Sequence, residues 1–119
     1  MSRVETLSYK GKRITIVDLS HCPPDETLKV LPAAKAAIAK SPPKSALVLA
    51  DVTGAIYNKE VAAAIKDFTD KNTPYVKASA VVGADGVRLI LLQTVIMLTR
   101  REIKTCAARQ EALDWLAAK

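Results

Sequence analysis

The run ALVLADV, Ala46–Val52, is apolar at every position except Asp51. A strand patterned this way has apolar side chains on both of its faces, so both must be covered. That is the condition of a central strand in a sheet with helices on either side. A second run, Val76–Val82, alternates and then turns apolar, and reads as its neighbour. Between the two, Val61, Ile65 and Phe68 repeat at helical spacing up to Asn72, with Asn58 placed as an N-cap and Pro74 closing the loop that follows. Strand, helix, strand with short connections predicts parallel pairing of the two strands.

The rest of the chain extends this plan. Val4–Tyr9 and Arg13–Leu19 are β-like runs around Lys10-Gly11-Lys12, a hairpin turn. Pro23-Pro24-Asp25-Glu26 opens a helix, with proline in its first turn and acids at the positive end of its dipole. Leu28, Leu31, Lys35 and Ile38 carry the helical period, Pro32 is expected to kink or divide it, and Ser41-Pro42-Pro43 stops it. Asp85 caps a further helix to about Leu98. Glu102–Cys106 reads as a short strand and Gln110–Ala118 as a closing helix, with Leu113 and Leu116 facing inward beside Trp115. The expected fold class is α/β in the order ββαβαβαβα. It has a mixed, mostly parallel sheet, an antiparallel hairpin at its start and helices packed on it, as one domain over residues 1–119.

Composition narrows the functional classes. Half of the residues are apolar and 25% are charged, which fits a soluble globular chain rather than a disordered one. The opening MSRVETLSYK is polar and has no secretory h-region, and the apolar run 87–98 is too short for a bilayer core of about 30 Å. A cytoplasmic address and no membrane span are therefore expected. Cys22 and Cys106 read as two reduced thiols. The net charge of +6 raises a nucleic-acid reading, but the lysines are scattered and aromatics make up only 4% of the chain, too few for stacking platforms. Nucleic-acid binding is not expected.

Four constellations could carry chemistry. Gly83-Ala84-Asp85-Gly86 stands where strand meets helix, as phosphate loops do, and Arg88 could add charge. It matches neither the dinucleotide fingerprint nor the P-loop, and Asp85 would put a carboxylate where an anion would sit. Gly83 as a turn, Asp85 as a cap and Gly86 as a close-packing position account for it. IVDLS (Ile16–Ser20) and LADVT (Leu49–Thr53) echo one another, each ending a strand with Asp, an apolar residue and a hydroxyl. Asp18 and Asp51 should lie at the carboxyl edge of the sheet, where open α/β sheets bind ligands. They could do acid–base work, or they and their hydroxyl neighbours could satisfy turn N–H groups; turn chemistry is the preferred account. His21 and Cys22 with Asp18 and Asp25 show no recurring zinc spacing, so neither metal nor cofactor is expected, and no catalytic signature is present.

The run 87–98 is the fourth. Val87, Leu91, Val95 and Leu98 form one helical stripe, while Leu89, Leu92, Ile96 and Met97 fall largely on other faces. A helix apolar all round must be covered all round. Either the closing helix covers it, or these side chains form an interface or line a ligand site.

Taken together, the opening hairpin, Asp51-Val52-Thr53-Gly54, the segment Ala80-Val81-Val82-Gly83-Ala84-Asp85-Gly86 before an apolar helix, and Glu111-Ala112-Leu113-Asp114-Trp115-Leu116 resemble the SpoIIAA-like family of small bacterial STAS-like proteins. The resemblance covers nearly the whole chain. It implies a sheet with helices wound on it and a non-enzymatic module that acts by protein–protein interaction, as a homodimer or with another protein. The better-studied relatives, the anti-sigma-factor antagonists, bind a partner kinase and are switched by phosphorylation of a serine. This chain lacks the serine pair of that switch, and Thr53 and Tyr57 are its nearby hydroxyls. On this reading the binding surface comprises Asp51, Thr53, Gly54, Tyr57, Asn58, Gly83, Asp85, Gly86 and Arg88, with Leu89, Leu92, Ile96 and Met97 as the apolar interface. Lipid-transfer domains of the CRAL-TRIO type share a related core, so the alternative is a carrier of a small apolar ligand or lipid.

Overall fold

The computed structural model describes residues 3–86, 89–90, 93 and 102–119. Their elements follow the order β1 (Val4–Tyr9), β2 (Lys12–Asp18), α1 (Pro24–Ile38), β3 (Ala46–Asp51), α2 (Lys59–Asn72), β4 (Val76–Val82), β5 (Ile103–Cys106) and α3 (Arg109–Ala117). Gly86, Leu89, Ile90 and Gln93, between β4 and β5, are helical. The five strands form one sheet in chain order, with β1 antiparallel to β2 and every later pair parallel.

The β1–β2 turn is tighter than the sequence pattern suggested. Lys10 and Gly11 both have positive φ, +48° and +79°, and Lys12 is already paired with Tyr9. Two consecutive left-handed residues make the turn whose twist matches that of the flanking strands. Lys12 therefore begins β2 instead of belonging to the loop.

Alternation along the central strands splits the core into two layers. Val17, Val48 and Val81 face Val30, Ala34 and Ile38 of α1, with Phe68 of α2 at the margin. Ile14, Ile16, Leu47, Leu49, Ala78 and Ala80 face the other way, against Ala112 and Leu116 of α3. Small residues on β4 let α3 approach the sheet closely. The inward residue beside Leu116 is thus Ala112, and Leu113 is only half-buried. On α1 the buried stripe is Thr27, Val30, Leu31, Ala34 and Ile38, so Leu28 and Lys35 stand off it.

Pro32 does not divide α1, which runs unbroken from Pro24 to Ile38. Pro32 is on the exposed side, where water can bond the carbonyl that a proline leaves without its N–H partner. The expected start of this helix is present: Pro24 stands in the first turn with Asp25 and Glu26, and the Thr27 N–H donates to the Pro23 carbonyl at 3.0 Å.

Asn58 caps α2. Its Oδ1 accepts from the Val61 N–H at 2.8 Å. Asn58→Ala leaves that donor to water and should cost about 1 kcal/mol, or roughly 4 °C in Tm. A thermal melt of the variant against the parent protein checks this; an unchanged Tm would show that the cap contributes nothing.

Candidate functional site: the carboxyl rim of the sheet

Asp18 and Asp51 end β2 and β3 as directly paired residues in the parallel register. Each folds back on its own turn. Asp18 Oδ1 accepts from the Ser20 N–H at 3.0 Å and the Ser20 hydroxyl at 2.5 Å. Asp51 Oδ1 accepts from the Thr53 N–H at 3.0 Å. The repeated Asp–apolar–hydroxyl pattern is therefore one local device used twice, a side chain mimicking a turn.

Beyond the strand ends the chain keeps a parallel ladder going. The Leu19 N–H donates to the Asp51 carbonyl at 2.8 Å, Val52 to Val82 at 2.9 Å, and His21 to Thr53 at 2.8 Å. Ile56 then donates to the Cys22 carbonyl at 3.1 Å, joining the loops after β2 and β3. The rim is consequently a fixed surface rather than a set of independent loops.

Two arginines that sequence patterning did not single out complete it. Arg109, the first residue of α3, donates from Nε to Asp51 Oδ2 at 2.8 Å, and its Nη2 lies 3.3 Å from Asp18 Oδ1. Arg3 pairs through Nε with Glu26 at 2.7 Å and donates from Nη1 to the carbonyls of Asp18 and Ser20 at 3.1 and 3.2 Å. One signal for Arg109 was available. A cation at the first position of a helix opposes the dipole, and here two carboxylates offset that cost. Glu111, two residues on, has the favoured sign and accepts from the Ala107 N–H at 3.2 Å.

These contacts set the protonation states. Burial pushes the Asp51 carboxyl up, but hydrogen bonds from Thr53 and the Arg109 guanidinium outweigh it and hold it below the ordinary carboxylate range. Asp18 is also held low, against burial, by Ser20, Arg109 and Arg3. Arg109 is raised, first by its hydrogen bond to Asp51. A general base working near neutrality needs a carboxyl shifted the other way. The guanidinium also takes the place between the carboxylates that a bound cation would need. Among the described residues, no three His, Cys, Asp or Glu side chains gather as a metal set.

The residues expected at a binding surface fall into three groups. Asp51, Thr53, Gly54 and Gly83 come together on the rim. Gly83 has φ +82°, and a Cβ there would lie 2.7 Å from Thr53 Cα; Gly54, at φ +66°, lies against the His21 imidazole. Tyr57 instead packs half-buried on the α1 side of the core, and the Asn58 side chain is spent on its cap. Asp85 and Gly86 are exposed where the helical residues begin, and the Asp85 carbonyl accepts from the Leu89 N–H at 3.2 Å. Among the described residues nothing lies within 4 Å of the position of a Gly86 Cβ, and the glycine's φ of +48° is a conformation that favours glycine. Leu89 is half-buried and Ile90 is 64% exposed. Arg88, Leu92, Ile96 and Met97 lie outside the described residues.

Beside the rim residues lie His21, exposed and left-handed at φ +51°, and Ile56, 57% exposed. No helix among the described residues is long and apolar enough to cross a membrane.

No family model and no curated protein matches this chain. Among solved structures it is similar to an uncharacterized protein of the DUF3478 family with a SpoIIAA-like fold from Shewanella loihica PV-4. The TM-score is 0.75 and the identity 16%, over 95% of this chain and 91% of that one. At this identity the likeness speaks for the fold, and it agrees with the hairpin, the parallel sheet order and the closing helix described above: the chain has a SpoIIAA-like α/β fold.

Proposed function

We propose that this chain is a cytoplasmic, non-enzymatic STAS-like binding module that docks a protein through the rim at Thr53 and Gly54 and the adjoining His21 and Ile56. One observation carries the reading. The rim's two carboxylates are held ionised and already bonded to Arg109, so they brace a surface and are poorly suited to move protons. Around them sit exposed groups of mixed chemistry, among them an isoleucine whose backbone is anchored to Cys22. A preorganised polar surface with an apolar anchor is the usual anatomy of a protein contact. The exposed Ile90 on the helix after β4 is a further apolar contact for the same role.

The test is native mass spectrometry and affinity capture with the parent protein and Ile56→Lys. The expected result is a dimer or a retained protein partner, with binding at least tenfold weaker in the variant, as for an apolar anchor at an interface. Binding that survives Ile56→Lys would move the interface off the rim. A monomer carrying a lipid-sized mass would overturn the reading in favour of the apolar-ligand carrier.

A further inference from the structure

The opposite edge of the sheet carries a second feature, independent of the rim. A cleft of about 280 Å³ opens between the β1–β2 hairpin and the carboxyl end of α1. Its polar lining is Thr6, Arg13, Thr15, Lys40, Ser41 and Ser45, and none of its lining residues is Asp or Glu. Thr6 and Thr15 are cross-strand partners, and Arg13 and Thr15 share the face of β2 that also carries Val17 against α1.

What these side chains leave unused is informative. Neither Arg13 nor Lys40 has an ion pair or side-chain hydrogen bond among the described residues. The neighbouring hairpin cation, Lys10, is by contrast paired with Asp114 at 3.0 Å. Thr15 is only 8% exposed as a residue, and its hydroxyl, which keeps contact with solvent, has no hydrogen-bond partner among the described residues. A hydroxyl that is open to solvent and bonded to no protein group is free to donate to an entering oxyanion. The wall is also fixed in place: Ser45 donates its hydroxyl to the Pro42 carbonyl at 2.7 Å, and the Lys44 and Ser45 N–H groups donate to Pro74 and Tyr75.

We propose that this cleft binds the phosphate group of a small molecule. An arginine fork, a lysine point charge and free hydroxyl donors, with no carboxylate to compete, make a donor set for an oxyanion. The end of α1 contributes about half a negative charge here, and two full cations outweigh it. The volume lies just below the range of about 300–1,000 Å³ usual for larger organic ligands, which suits a phosphate or a short phosphomonoester.

The test is a titration of the ¹⁵N-labelled protein with inorganic phosphate and, separately, with glycerol 2-phosphate. Sodium chloride holds the ionic strength constant, and amide shifts are followed by NMR. Saturable shifts confined to Arg13, Thr15, Lys40, Ser41 and Ser45 are expected. Arg13→Gln and Lys40→Gln should each weaken binding about tenfold, as loss of a charge-assisted bond does. Tighter binding of the ester would identify a phosphorylated metabolite as the ligand, and equal binding the free anion. Shifts that never saturate, spread evenly over the surface lysines, or survive both substitutions would overturn the site. Both replaced side chains are exposed, so the fold is expected to survive, and the titration of the parent protein decides the matter by itself if it does not.

Discussion

Gly83→Ala should destabilise the protein by about 3 kcal/mol, lowering Tm by roughly 12 °C, whereas Gly54→Ala should cost only about 1 kcal/mol. Both glycines have positive φ, +82° and +66°, so each alanine carries a similar conformational penalty of about 1 kcal/mol. They differ in what the new methyl meets. At Gly54 it meets the His21 imidazole, the end of an exposed side chain that can rotate aside. At Gly83 it meets Thr53, including the backbone Cα at 2.7 Å. Thr53 cannot yield without moving its turn, which the Asp51 side chain and the His21 N–H both hold. The clash therefore has to be absorbed by the main chain, at a cost of about 2 kcal/mol. Chemical denaturation of the two variants measures the difference. Equal destabilisation would mean that the Thr53 turn is soft, and the rim with it. Thr53→Ala should not rescue Gly83→Ala, because it removes the hydroxyl and leaves Cα in place.

The sequence announced the sheet more plainly than the rim. ALVLADV and the run that ends in AVV could only be covered strands, and Asn58 marked the start of α2 at the residue where it begins. These features are local: each follows from the period of side chains or from one side chain reaching a nearby N–H group. Lys12 was misplaced by one residue because a lysine in a left-handed turn carries no signal comparable to glycine. Of the two outcomes expected of Pro32, a kink or a division, division of α1 does not occur, because the cost of proline depends on whether its carbonyl partner faces water, which is a tertiary fact. The Asp18–Asp51 pairing was legible in the echo of their flanking residues. Arg109 was not, since it acts on Asp51 from 58 residues away, and long-range pairing leaves no periodic trace. The cleft facing Arg13 and Lys40 was hidden for the same reason: its walls come from the hairpin and the far end of α1.

Arg109→Met should cost about 2 kcal/mol at neutral pH and shift acid unfolding to higher pH. Removing one partner of a fully buried ion pair costs about 3–5 kcal/mol; the smaller figure follows because the Arg109 side chain is 41% exposed and water screens its charge. The loss falls mainly on Asp51, whose side chain is only 9% exposed and which keeps its bond from Thr53. The sign of the pH effect comes from the folded carboxyls, which lie below their ordinary range. Their contribution is complete above about pH 4, where the unfolded chain's aspartates ionise, and is lost as pH falls through the lower folded values. Without the guanidinium, burial pushes Asp51 upward with less to oppose it, so the loss begins at higher pH. Arg109→Lys should fall between the parent and Met, because a point charge cannot span two carboxylates as a fork does. Urea unfolding at pH 7 and an acid titration followed by circular dichroism measure both effects. A Met variant with the parent's urea midpoint and acid limb would show that Arg109 merely lies beside the aspartates, and the braced surface on which partner docking rests would lose its support.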